Sequence, residues 1–107
     1  MGGQPGIGEA ETRPALMDLK WTTKALSHLV RLHEFLAPVD RRAAARTVQS
    51  LVVASGRFRE HPRVGEKVDG FEPREVRRLI VGRYEIRYEI ANEAIYVLRI
   101  WHTREQR

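Results

Sequence analysis

The sequence predicts an α+β domain: an N-terminal strand, an antiparallel two-helix hairpin and a three-stranded antiparallel meander. Three observations carry this reading. "YEIRYEI" (84–90) alternates apolar and charged residues, the period of a half-buried strand. Ala25, Leu29, Leu32 and Leu36 recur at spacings of three and four, the period of a helix with one apolar stripe. Between these patterns, residues 57–73 hold two prolines and two glycines, which mark a loop.

Each element follows from its own residues. "MDLKW" alternates, with Met17, Leu19 and Trp21 on one side and Asp18 and Lys20 on the other, so it is a short strand with one buried face. Thr22 and Thr23 are good N-cap residues for a helix over about 23–36, whose stripe is widened by Leu26, Val30 and His33. Pro38 ends it. Asp40 caps a second helix with Ala44, Val48, Leu51 and Val52 inside; it is expected to stop near Ala54, at Ser55–Gly56. The connection is short, which makes the helices antiparallel neighbours. "REVRRLIV", "YEIRYEI" and "IYVLRIW" are the three meander strands, the last two joined by the turn "ANEA". "IYVLRIW" is apolar on both faces and is expected to be central and covered on both sides. Residues 16–107 form the domain. The Gly-, Pro- and Glu-rich residues 1–15 are expected to be a disordered extension.

A chain of 107 residues bounds the protein to one modest core. It has no cysteine, which excludes a disulfide framework and a thiolate metal site. No apolar run reaches the roughly 18 residues of a membrane span, and the N-terminus lacks the apolar stretch of a signal peptide. A cytoplasmic location without membrane contact is expected. The net charge of +5 favours an acidic partner. Residues 41–67 carry six Arg and one Lys against two Glu, and residues 74–107 eight Arg against five Glu. Arginine is suited to two-point contact with carboxylate or phosphate.

No nucleophile elbow, P-loop, dinucleotide fingerprint or zinc spacing is present, so no cofactor and no metal are expected. His28 and His33 sit five apart on a helix, as surface or boundary residues rather than ligands, and His61 precedes a proline in a loop. His102 stands at a strand end beside Arg104. A histidine there can move a proton near neutral pH, and an arginine can hold phosphate or developing charge; polar residues at that place also simply keep a strand end soluble. Arg78 and Arg87 lie on successive strands. Arg99 shares strand parity with Ile95, Val97 and Trp101, so it either meets a partly open face or pairs with Glu85 or Glu89.

Together, "EHPRVGEKVDGFEPREVRRLIVGRYEIRYEI" and "IYVLRIWHTREQR" resemble the RelE/ParE superfamily of bacterial toxins, the toxin halves of type II toxin–antitoxin pairs. The resemblance spans about residues 17–107 and implies a twisted antiparallel sheet with a two-helix hairpin. It implies one of two activities: ribosome-dependent cleavage of mRNA, as in RelE-like members, or poisoning of DNA gyrase, as in ParE-like members. Carried over by position, Arg78 matches a basic sheet residue and Arg104 a catalytic arginine after the last strand, with His102 beside it. RelE-like nucleases often carry a catalytic arginine after the first tyrosine of "Y.I.Y"; here that position is Glu85, and no tyrosine follows the last strand. The resemblance therefore favours the ParE-like branch. The expected function is a plasmid-stabilisation-like, growth-inhibiting toxin that contacts gyrase through Arg78, Arg87 and Arg104. The alternative is an mRNA endoribonuclease acting on the ribosome through His102 and Arg104. A non-toxic basic binding module is a third reading. Either toxin implies a cognate antitoxin, whose acidic amphipathic segment wraps the hairpin and basic surface in a hetero-oligomer.

Overall fold

The computed structural model describes residues 16–105, so the extension expected at 1–15 lies outside the described residues. The elements are β1 (Asp18–Trp21), α1 (Thr23–Leu36), α2 (Arg41–Gly56), β2 (Glu66–Lys67), β3 (Glu75–Val81), β4 (Tyr84–Ala91) and β5 (Ala94–His102). Short 3₁₀ turns follow α2 at Arg57–Arg59 and β5 at Thr103–Glu105. The α+β class and the hairpin-plus-meander plan are as predicted. The sheet has five strands in the order β1-β5-β4-β3-β2.

Two departures concern the sheet. β2 is an additional strand of two residues, Glu66 and Lys67, paired antiparallel to Arg78 and Arg77; so short a segment within a Gly- and Pro-bearing loop has no periodicity to read. β1 pairs parallel to β5, with Leu19 opposite Ile95 and Trp21 opposite Val97, so the sheet is mixed rather than wholly antiparallel. The helical hairpin supplies the crossover that a parallel pair requires.

Local chemistry fixes the helix boundaries. The Thr22 hydroxyl accepts from the Ala25 N–H at 3.1 Å and donates to the Val97 carbonyl at 2.9 Å, which starts α1 and ties it to β5. Asp40 accepts from the Ala43 N–H at 3.0 Å and starts α2. α2 runs past Ala54, because Gly56 takes a helical φ of −61° and leads directly into the 3₁₀ turn. Ser55 is buried and donates to the Val52 carbonyl instead of marking a stop. In the β4–β5 turn, Asn92 and Glu93 both adopt positive φ, as a two-residue hairpin turn requires.

The core joins Ala25 of α1, Leu51 of α2 and Phe58 to Ile86, Tyr88, Ile95, Val97 and Ile100 on one sheet face. The outer flanks of the expected helix stripes are not in it: Leu26, Val30 and Val52 are exposed, as are Val53, Phe35 and Val39. Tyr88 organises the loop before β3. Its ring stacks on Phe58 at 3.8 Å between centroids, and its hydroxyl donates to the Pro62 carbonyl at 2.8 Å and accepts from the Gly65 N–H at 2.9 Å. Burial pushes this hydroxyl's pKa up, which keeps it a donor.

A carboxylate fastens the same loop from outside. Glu75 receives a two-point fork from Arg63 at 2.8 and 2.9 Å and a further bond from Arg77 at 2.8 Å. The Arg63 hydrogen bond, followed by those of Arg77, holds the Glu75 carboxyl below its ordinary range despite partial burial. A depressed folded pKa means that the native state binds fewer protons than the unfolded chain as acid is added. The stability from Glu75 is therefore present above roughly pH 4.3, the ordinary glutamate value, and is lost as pH falls through the lower folded value. Glu75→Gln is expected to flatten this acid limb in urea titrations between pH 5 and 3; an unchanged slope would contradict the fork's role.

Candidate functional site

The two faces of the sheet differ in kind. The helices cover the face bearing Tyr84, Ile86 and Tyr88. On the opposite face Arg78, Arg87 and Arg99 stand directly across from one another on β3, β4 and β5, with Ile80, Glu85 and Trp101 in the next row. Like charges in register repel, and two carboxylates offset them. Glu85 is 1% exposed and lies 2.7 Å from Arg87 and 3.8 Å from Arg78, while Glu66 lies 3.2 Å from Arg78. Arg87 and Arg99 both stack on Trp101, with guanidinium carbons 4.9 and 4.6 Å from the ring centre.

Arg99 reaches this face through a bulge. Arg87 faces Arg99 but Tyr88 faces Val97, so Leu98 is an extra residue in β5 and the side-chain alternation reverses there. Ile95 and Val97 point to the helices, as does Ile100, whereas Arg99 and Trp101 point away from them. Strand parity groups Arg99 with Ile95 and Val97, and the bulge corrects this; of the two outcomes expected for Arg99, the partly open face is the one observed, since Glu85 pairs with Arg87 and Arg78, and Glu89 with Arg74 at 2.8 Å. The expectation that β5 is covered on both sides fails for the same reason: one side is buried and the other carries an exposed arginine.

A cleft of about 670 Å³ lies between α1 and the outer edge of β5. β1 accompanies β5 only as far as Val97, which leaves Leu98–His102 without a strand on that side. α1 contributes His28, Arg31, Leu32 and Phe35 to the cleft; β4 contributes Tyr84. Arg99, Trp101 and His102 of β5, with Arg104 of the following turn, form the other wall. His28 Nδ1 accepts from the Ile100 N–H at 3.1 Å, occupying the outward-facing donor of the strand edge. His102 Nδ1 accepts from the Arg104 N–H at 3.0 Å, so the neutral imidazole carries its proton on Nε2. Its ring meets Tyr84 edge-on at 5.2 Å.

The sequence-predicted residues thus fall into two places. His102 and Arg104 meet in the cleft, while Arg78 and Arg87 lie on the open face with much of their charge matched by carboxylates. Arg99 and Trp101 border both. Arg31 and His28 escape sequence reasoning because a helical arginine reads as solvated surface and a lone helical histidine as a boundary residue. The sign that was available is their spacing with Leu32 and Phe35, which continues one helix face. Among the described residues no cluster of His, Asp and Glu could hold a metal ion, and no helix is long and apolar enough to cross a membrane.

A two-helix hairpin on one face of a mixed five-stranded sheet, with arginines on the last strands and Arg104 in the turn after them, is the fold of RelE/ParE-type toxin structures. The family model described as the ParE toxin of the type II toxin–antitoxin system parDE matches residues 19–107, and the chain belongs to that family. Among solved structures, it is similar to the chromosomal ParDE toxin–antitoxin system from P. aeruginosa, with a TM-score of 0.68 and 23% identity over 81% of this chain and 96% of that one. It is also similar to the toxin–antitoxin complex RelBE2 from Mycobacterium tuberculosis, with a TM-score of 0.59 and 22% identity over 84% and 94% of the two chains. No curated protein matches.

Proposed function

We propose that this toxin inhibits DNA gyrase by binding it and trapping its cleaved DNA complex, and that a cognate antitoxin holds it inactive. The observation that carries the choice of target is Glu85. At the centre of the open face, where a RelE-like nuclease would hold a cation, the chain buries a carboxylate that pairs with Arg87 at 2.7 Å and lies 3.8 Å from Arg78. A phosphodiester undergoing cleavage needs fixed positive charge around it, and two of the three arginines in this row are held in ion pairs instead. Target contact is assigned to Arg104, with Arg78 and Arg87 contributing through the part of their donor groups that Glu85 and Glu66 leave free, acting by electrostatic complementarity with a large partner rather than by bond-making.

The ribosome-dependent nuclease is the second reading, favoured by one observation: His102 and Arg104 line the same cleft. The two readings separate in a purified translation reaction with a defined mRNA. Intact mRNA at a tenfold excess of toxin over ribosomes is expected; ribosome-dependent cleavage that disappears in His102→Ala and Arg104→Ala would replace the gyrase reading with the nuclease one.

A further inference from the structure

We propose that the exposed face of the first half of α2, residues 41–50, binds the phosphate backbone of duplex DNA, and that in the inhibited complex it holds the DNA that gyrase has cut. The second clause rests on the gyrase reading above; the first stands without it.

α2 is a helix of 16 residues with no acidic residue in it, and its Arg41, Arg42 and Arg46 are all exposed. None of the three therefore has a helical carboxylate three or four residues away, the usual offset for a cation on a helix. Arg42 and Arg46 instead form a like-charge pair at i, i+4. Arg41 and Arg42 stand in the first turn, where a helix disfavours cations. The chain treats its other arginines differently: Arg63, Arg74, Arg77, Arg78 and Arg87 each lie within 3.2 Å of a glutamate. Residues placed against local helix stability mark a surface that serves a partner. The opposite side of α2 carries Ala44 and Leu51, both fully buried, so the arginine line is rigidly presented.

The rest of the face selects phosphate over an acidic peptide. The exposed residues of 41–50 are Arg41, Arg42, Ala45, Arg46, Gln49 and Ser50. A protein interface is anchored by aromatic or aliphatic side chains at its centre. Here the largest apolar group is the methyl of Ala45, and the exposed valines, Val52 and Val53, begin only beyond this stretch. Every long side chain is instead a hydrogen-bond donor. Arg42, Arg46 and Gln49 follow one another at four and three residues, a line about 10 Å long on one side of the helix. That length spans about three successive phosphates of one strand, spaced roughly 3.4 Å along the duplex axis. Backbone contact carries no sequence information, so the binding is sequence-independent.

The test titrates the full-length toxin into a fluorescently labelled DNA duplex of about 20 base pairs and follows anisotropy at several salt concentrations. Arg42→Gln and Arg46→Gln are each expected to reduce the slope of log affinity against log salt by about 0.9, and to weaken binding roughly fivefold to tenfold at 0.1 M salt. Arg42→Lys keeps a point charge and is expected to keep the slope. Lys24→Gln and Arg83→Gln, exposed cations elsewhere, report the effect of net charge alone and are expected to change affinity less than twofold. Melting temperatures of the α2 variants are expected to stay at or above wild type, because a repulsive pair is relieved. With gyrase and plasmid, the double variant Arg42→Gln/Arg46→Gln is expected to give less linear DNA at equal toxin, while its affinity for gyrase without DNA stays within twofold of wild type. Losses of duplex affinity no larger than those of the two controls overturn the proposal. So does unchanged duplex affinity with weakened binding to DNA-free gyrase, which assigns the face to protein, or with lost sedimentation on phosphatidylglycerol vesicles, which assigns it to lipid. Undiminished trapping by a double variant that has lost duplex binding refutes the second clause alone. A toxin that binds duplex through these arginines but leaves gyrase unaffected supports the face and refutes only the target.

Discussion

Gly65→Ala is expected to destabilise the fold by about 3 kcal/mol, the upper range for forcing volume into a packed site. For a domain of this size that lowers the melting temperature by roughly 12–20 °C. A β-carbon at Gly65 would stand 2.5 Å from the Arg78 carbonyl oxygen and 2.6 Å from the Tyr88 hydroxyl. The first of these atoms belongs to the β3 backbone and cannot swing aside. The second is the bridge that holds both the Gly65 N–H and the Pro62 carbonyl. Relieving the strain means moving the 62–67 loop off the sheet, which also costs the Arg77 bond to the Gly65 carbonyl at 2.7 Å. Adding Tyr88→Phe removes the hydroxyl clash but leaves the backbone clash, so it is expected not to rescue the variant. Differential scanning calorimetry of the two single variants and the double variant measures this. A melting temperature within 3 °C of wild type for Gly65→Ala would show that the loop is not held as described.

Glu85→Gln is expected to cost about 3 kcal/mol, because removing one partner of a buried ion pair leaves the other charge uncompensated. The carboxylate is 1% exposed and sits against Arg87, whose side chain is 16% exposed. Its loss leaves Arg78, Arg87 and Arg99 in register with like charge and one fewer acid. Arg87→Gln is expected to cost less than Glu85→Gln, because Arg78 remains 3.8 Å from the buried carboxylate. The double variant is expected to lose clearly less than the sum, since removing both charges together removes the desolvation problem. Urea titrations of the four proteins provide the cycle. Additive losses would mean that the pair is not coupled and that Glu85 does not neutralise the face.

Much of this fold is written in local pattern. The alternation in "MDLKW" and "YEIRYEI" and the leucine spacing of α1 each state a period, and burial follows it in "MDLKW" and along the α1 leucines but not at Glu85, which is buried on the charged side of its strand. Where the fold depends on partners distant in sequence, pattern is silent. Nothing in "DLKW" says that it pairs parallel to residues 94–97, and nothing in "GEK" says that it pairs at all. The reversal at Leu98 is the instructive case: a single extra residue moves Arg99 and Trp101 to the open face, and parity counted from Ile95 places both on the wrong one. The site is legible to a similar degree. His102 and Arg104 are visible because they end a strand together. Arg31 becomes part of their surroundings only once α1 is laid against the unpaired edge of β5, and the matching of Arg78 and Arg87 by Glu85 is visible only across the sheet.

The central claim concerns the target, and gyrase reports on it directly. Purified toxin is added to gyrase with relaxed plasmid and ATP, and the reaction is stopped with detergent and protease so that trapped cleavage complexes appear as linear DNA. The account predicts that linear DNA rises and supercoiled product falls with toxin concentration, and that equimolar antitoxin reverses both. Full supercoiling with no linear DNA, at an excess of a toxin that still arrests growth, would contradict it.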